Sequence, residues 1–148
     1  TIERHMYKTA GIIPYDNQGF WLAKMKNGYA DFGGKRQKDE SDPWETAKRE
    51  MKEEGNLDFE QYDTSTFHPD SNSKCVLFYA QTQKPPKAKL GDAVIGTLFI
   101  TWQQYIEKKF SCELHPRLKF DKGGLIHQKL LSLAEKYMPA KRECLIMD

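Results

Sequence analysis

Apolar and polar positions along the chain fall into short runs of two periods. Residues 7–15 and 20–25 are rich in apolar and aromatic residues, and Asp16-Asn17-Gln18-Gly19 stands between them. That arrangement predicts two strands joined as a hairpin. A second turn at Lys26-Asn27-Gly28 leads into a short strand over residues 29–32, which delivers the chain to Gly33-Gly34. The period then changes. Trp44, Ala47 and Met51 recur at helical spacing, so a helix follows the glycine pair. Residues 57–68 are polar and mixed and predict a strand or extended connection, with a turn over 69–73. Cys-Val-Leu-Phe-Tyr-Ala at 75–80 is apolar on both faces and predicts a central strand. A basic, proline-containing loop over 84–91 precedes another strand at 94–102, a short helix at 103–109 and an irregular segment at 111–120. A last helix over 125–137 should bury Ile126, Leu130, Leu131 and Ala134 and end at Pro139. Strands, helix, strands and helix in that order suit a mixed sheet between helices.

The first helix carries the chemistry. Asp42 is suited to accept from an orphan N–H, Pro43 to the first helical position, and Glu45 stands at capping-box spacing. Glu50, Glu53 and Glu54 then fall at i, i+3 and i+4, on one stripe bordering the apolar one. Like charges so spaced cost a few tenths of a kcal/mol per pair, and a helix C-terminus disfavours anions. A hard divalent cation such as Mg²⁺ or Mn²⁺, which takes oxygen ligands, reverses that cost. The competing reading is a solvated face balanced by Lys48, Arg49 and Lys52.

Residues 34–57 resemble the Nudix box, G-x5-E-x7-R-E-U-x-E-E-x-G-U with U aliphatic. Gly34, Glu40, Arg49, Glu50, Met51, Glu53, Glu54 and Leu57 match. Two positions depart from it. Eight residues separate Glu40 from Arg49 where the motif has seven, and Asn56 stands where the late glycine belongs. Asn is the next best residue in a left-handed helix cap. The resemblance implies an α/β (α+β) fold, a Nudix-like α/β/α sandwich with a mixed β-sheet. It implies a Mg²⁺- or Mn²⁺-dependent hydrolase of phosphoric anhydrides. Glu50, Glu53, Glu54 and the Gly33 backbone carbonyl would hold metal, with Glu53 either a ligand or the general base. Glu40 and Arg49 would orient the carboxylates, and Glu45 and Glu53 would flank Arg49. A further loop carboxylate, Glu107 or Glu113, would join them. Lys35, Arg36 and Lys38 stand where substrate phosphates could be met, or are simply solvated. Tyr15, Trp21, Tyr29, Phe32 and Trp102 are candidates for stacking on a base, with core positions the simpler expectation. His127 is expected on a helix surface. The expected substrate is a small-molecule phosphoanhydride, a nucleoside diphosphate linked to another moiety. Dinucleoside polyphosphates, diphosphoinositol phosphates, a capped RNA 5′ end, or binding without cleavage are the alternatives.

Composition changes this picture little. The 148 residues, 39% hydrophobic and 30% charged, predict one domain with a core. Residues 1–5 read as a cloning remnant. A net charge of +2 is too small to argue for nucleic acid by itself. No apolar run approaches a membrane span. The three cysteines form no C-x-x-C pair, which fits a reduced, cytoplasmic setting.

Overall fold

A computed structural model describes residues 7–68, 74–89, 93–109, 113–119 and 121–138. The elements run β1 (Thr9–Tyr15), β2 (Gly19–Met25), β3 (Gly28–Ala30), β4 (Phe32–Lys35), α1 (Pro43–Gly55), β5 (Thr64–His68), β6 (Cys75–Gln81), β7 (Val94–Thr101), α2 (Trp102–Glu107), α3 (Pro116–Lys119) and α4 (Leu125–Tyr137). The turn expected at 69–73, the tail beyond 138, Cys112, Cys144 and residues 1–5 lie outside the described residues.

The β1–β2 hairpin forms, but the strands share a ladder only at its mouth, where Tyr15 pairs with Phe20. Beyond that point they part. β1 runs between β4 (antiparallel) and β6 (parallel), with β5 antiparallel outside β6. β2 lies between β3 and β7, antiparallel to both. The result is a mixed sheet whose two wings meet at the Asp16 turn, where Asp16 Oδ1 accepts from the Gln18 and Gly19 N–H groups at 2.7 and 3.1 Å.

Alternation in the central strands divides the core. Ala10 and Ile12 of β1, Phe32 of β4, and Val76 and Phe78 of β6 face α1, where they meet Ala47 and Met51. Ile13, Tyr15, Leu77 and Tyr79 face the other way, toward Trp102 of α2 and Ile126, Leu130, Leu133 and Ala134 of α4. Sequence periodicity assigned Leu131 to the buried stripe of α4. It is only half-buried, and Leu133 takes the place, packed in the core cluster with Ile126, Leu130 and Ala134.

Three further expectations are corrected. Residues 29–32 are not one strand, since Asp31 interrupts the run and separates β3 from β4. Trp102 does not end β7 but opens α2, because Thr101 Oγ1 accepts from Gln104 N–H while the Gln104 side chain accepts from Thr101 N–H, a closed capping box. Residues 116–119 form a helical turn inside the segment expected to be irregular.

α1 starts and stops where its local chemistry directs. Asp42 is extended (φ −121°, ψ 126°) and its Oδ1 accepts from Trp44 N–H at 3.0 Å. Glu45 stands exposed and shows no reciprocal bond among the described residues, so Asp42 alone caps the helix. At the other end Asn56 is left-handed (φ 55°, ψ 35°), and its N–H reaches Lys52 O at 3.2 Å. Asn56→Val should therefore destabilise by roughly 1–3 kcal/mol, the cost of forcing a β-branched residue to positive φ. Asn56→Gly should stay within about 0.5 kcal/mol of the parent. Urea unfolding of the three proteins checks this, and equal midpoints for Val and Gly would refute the cap assignment.

Candidate active site

β4 and α1 build the site together. Phe32, fully buried, anchors β4 against the helix, and the chain then offers Gly33 opposite Gly11 and Gly34 opposite Ala10. Gly34 leaves open the space that the end of the Glu50 side chain fills. A Cβ at that position would lie 2.6 Å from the Glu50 carboxylate. The glycine pair thus brings strand backbone against a carboxylate of α1.

Arg49 sits at the centre of the cluster. Its Nε and Nη2 donate to the two oxygens of Glu40 at 2.9 and 3.1 Å, a bidentate pair. Nη1 donates to Glu50 Oε1 at 2.9 Å and to Glu53 Oε2 at 3.3 Å, and Nη2 also reaches the Lys35 carbonyl at 3.0 Å. Every N–H of the guanidinium is used. Glu40 Oε1 accepts in addition from Gln37 N–H at 2.8 Å and Thr46 Oγ1 at 2.9 Å. The extra residue between Glu40 and Arg49 is taken up in the turn that closes when Glu40 N–H bonds to Gln37 O at 3.0 Å. Glu40 still reaches Arg49 for that reason. Glu45 makes no contact in the cluster among the described residues.

The two nearest partners of the guanidinium are shifted in opposite directions. Glu40, bonded to Arg49 through both oxygens, is held far below the usual carboxylate range, at about 2. Glu50 is pushed up, because burial outweighs its single bond to Arg49 and Glu53 adds repulsion. Arg49 itself is driven further toward the cation by Glu40. The carboxylates of the stripe also differ in exposure. The Glu50 side chain is 13% exposed and that of Glu53 54%, whereas Glu54 is buried at 8%.

These are hard anionic oxygens, the donor type that Mg²⁺ and Mn²⁺ take. Among the described residues no three acidic, His or Cys side chains converge closely enough to enclose an ion, because Arg49 holds Glu50 and Glu53. The donor set fits such a metal in chemistry.

The remaining candidates are dispersed. Lys35 ends β4 and is exposed, Arg36 lies over the Tyr7 ring at 5.7 Å, and Lys38 is exposed in the loop. Glu107 is on α2, which packs with α4 across the sheet, and pairs with Lys109 at 3.5 Å. Glu113 is exposed near β3, where its carbonyl accepts from Tyr29 N–H at 2.8 Å. Neither joins the cluster on α1. Tyr15, Phe32 and Trp102 are core, Trp21 is buried against Phe99, and Tyr29 is half-buried. His127 is exposed, with Nδ1 2.6 Å from the Tyr105 hydroxyl. Sequence reading missed two groups. Thr46, at 0% exposure, joins Glu40 to Tyr7, and Asp31 is a buried carboxylate against Gly11 and Gly33. Its place on the acidic stripe, three and four residues before Arg49 and Glu50, was the available signal for Thr46. A cleft of about 370 Å³, lined by Ile13, Leu22, Tyr105, Asp121 and Leu130 among others, opens on the face away from α1.

The fold, with this guanidinium–carboxylate cluster on α1, places the chain in the Nudix class. The NUDIX domain model matches residues 6–118, and the chain belongs to that family. Its fold is similar to that of the Nudix hydrolase RenU from M. smegmatis, with a TM-score of 0.62 at 15% identity over 83% of this chain and 85% of that one. The NUDIX domain of Shewanella oneidensis NrtR, solved with ADP ribose, aligns with a TM-score of 0.58 at 14% identity, over 88% and 86% of the two chains. A MutT/nudix family protein from Enterococcus faecalis aligns with a TM-score of 0.50 at 20% identity over 68% of this chain, which spans 46% of that longer protein. No curated relative matches the sequence. No helix among the described residues is long and apolar enough to cross a membrane.

Proposed function

We propose that the protein hydrolyses the phosphoric anhydride bond of a nucleoside diphosphate linked to another moiety, in a divalent-metal-dependent reaction. The observation that carries this reading is the convergence on Arg49 of Glu40, Glu50 and Glu53 beside the Gly33-Gly34 backbone. Glu50, Glu53, Glu54 and the Gly33 carbonyl would hold Mg²⁺ or Mn²⁺. Such an ion supplies charge neutralisation on the phosphates and a lowered pKa for bound water. The chain's own residues do the rest. Glu40 and Arg49 fix the start of the carboxylate stripe, as partners behind metal ligands do. Glu53, the most exposed of the three, either completes that ligand set or takes a proton from water at its carboxylate. Lys35 and Arg36 stand beside Arg49 and meet the substrate's phosphate oxygens. That the NrtR domain was solved with ADP ribose supports a substrate of this class.

A panel of nucleoside-diphosphate-linked compounds, assayed for phosphate products with and without Mg²⁺, tests the reading. One member should be cleaved at the anhydride, only with metal. Thermal melts belong to the same experiment. Metal at a hundredfold excess over its dissociation constant should stabilise the fold by about 2.7 kcal/mol relative to EDTA. Metal-independent midpoints with no cleavage of any compound would point instead to a module that binds nucleotide without hydrolysing it.

A further inference from the structure

Glu40 differs from the other carboxylates around Arg49 in standing outside α1, in the loop after β4. Side-chain bonds from two residues of the helix hold it there. Arg49 donates to it through Nε and Nη2 at 2.9 and 3.1 Å, and Thr46 Oγ1 lies 2.9 Å from Glu40 Oε1. Thr46 precedes Arg49 by three residues and Glu50 by four, so all three share one stripe of α1. The Thr46 hydroxyl is in turn 2.5 Å from the hydroxyl of Tyr7, which stands before β1 and outside the 34–57 motif. Thr46 is 0% and Tyr7 3% exposed, so the chain of bonds from Tyr7 to Thr46 to Glu40 is closed to water.

The count of protons fixes the direction of this chain. Glu40, paired through both oxygens with Arg49, is ionised and only accepts, so Thr46 Oγ–H donates to it. A hydroxyl carries one proton, and Thr46 Oγ1 therefore accepts from Tyr7 O–H. A helical threonine has a competing acceptor in the carbonyl four residues back. For Thr46 that carbonyl is Asp42 O, and the Tyr7 hydroxyl also reaches it, at 3.0 Å. Tyr7 thus engages the competing acceptor and supplies a proton to Thr46 Oγ1, which together turn the Thr46 proton toward Glu40. The loop gives this bond its weight. Glu40 and Arg49 are nine positions apart, one more than the motif's spacing, and Thr46 pins Glu40 to the helix at six. We propose that Tyr7 and Thr46 are positioning residues of the hydrolytic site: they hold Glu40 on Arg49, and Arg49 in turn sets Glu50 and Glu53 in place for the divalent cation. This rests on the metal-dependent hydrolysis proposed above and adds to it two neutral residues, one of them remote from the motif in sequence.

The test compares the parent with Tyr7→Phe, Thr46→Val and Thr46→Ser, with Thr82→Val as a control. Tyr7→Phe and Thr46→Val each remove one hydroxyl at nearly constant shape, and Thr46→Ser restores it. Tyr7→Phe also keeps the ring over which the Arg36 guanidinium lies at 5.7 Å, so it does not act through Arg36. Thr82 is likewise buried and gives its hydroxyl proton to Lys84 O at 2.6 Å, at the Tyr15 end of β1, away from the cluster. The first readout is exchange of the Arg49 Nε–H with water in metal-free protein, followed by NMR with circular dichroism as the check of folding. Exchange should be about tenfold faster in Tyr7→Phe and Thr46→Val, and parental in Thr46→Ser and Thr82→Val. The second is calorimetric titration with Mn²⁺, which the first two variants should bind about tenfold more weakly. On a cleaved anhydride the Mg²⁺ needed for half-maximal rate should rise about tenfold in the same two, with KM for the anhydride unchanged. Parental exchange in both Tyr7→Phe and Thr46→Val would overturn the proposal. So would Thr46→Ser behaving like Thr46→Val, or Thr82→Val matching either, since packing and not the hydroxyl chain would then be responsible. Failure of the parent to bind metal or to hydrolyse any anhydride would sink the proposed activity alone, because the exchange reads the hold on Glu40 and Arg49 without metal or turnover.

Discussion

Glu50→Gln and Glu54→Gln proteins should fold and lose most of their turnover, about 10²-fold or more in kcat at saturating Mg²⁺. Each change keeps the shape and removes the charge. Glu50 Oε1 accepts from Arg49 Nη1, and a glutamine amide oxygen can accept the same bond, so the cluster around Glu40 and Arg49 stays assembled. Glu54 is buried at the foot of α1, where a neutral amide is easier to desolvate than a carboxylate. What both variants lose is anionic oxygen for a cation that stabilises charge developing on phosphate, a contribution of several kcal/mol to the transition state. The loss therefore falls on kcat more than on KM. Glu53→Gln separates two roles. As the general base its loss costs roughly 10²–10⁴-fold with little change in metal affinity. As a ligand, extra Mg²⁺ or Mn²⁺ recovers part of the rate. Steady-state kinetics across a metal titration, with circular dichroism on each variant, makes the measurement. Near-parental kcat in folded Glu50→Gln and Glu54→Gln would remove the active site from this helix.

Trp102→Ala should cost about 3–5 kcal/mol of stability, the range for a large aromatic deleted from a core. Trp102 is 1% exposed, and its ring packs near Phe20, Tyr137 and Tyr15 with centroids 5.3, 6.1 and 6.3 Å away. Its Nε1–H donates to Asp16 O at 3.0 Å, tying the first residue of α2 to the turn where the two wings of the sheet meet. Truncation opens a cavity and leaves that carbonyl without its donor. A domain holds only about 5–15 kcal/mol in all, so the melting temperature should fall on the order of 10 °C. Trp102 is on the face away from α1. Below the melting range kcat and KM should therefore stay near the parental values, and Trp102→Phe should recover much of the stability. A variant that keeps its melting temperature but loses substrate affinity would instead make Trp102 a base-stacking residue.

The sequence by itself determined the parts of the molecule whose causes are local. α1 begins at Pro43 because Asp42 caps it and Pro43 needs no N–H partner, and it ends at Asn56 because Asn tolerates positive φ. The motif's spacing brought Glu40 and Arg49 to notice as a pair, and one extra loop residue did not separate them. β6 was legible because a strand covered on both faces must be apolar on both. The tertiary structure alone decided what depends on neighbours distant in sequence. β1 and β2 look like a closed hairpin, yet β4, β6, β3 and β7 draw them apart, and no feature of the turn records that competition. Leu131 and Leu133 are equally apolar, and only the sheet chooses between them. Glu50, Glu53 and Glu54 are the same residue on one stripe. They become a carboxylate with a raised pKa, an exposed one and a buried one because Gly34, solvent and the core lie against different parts of the same helix.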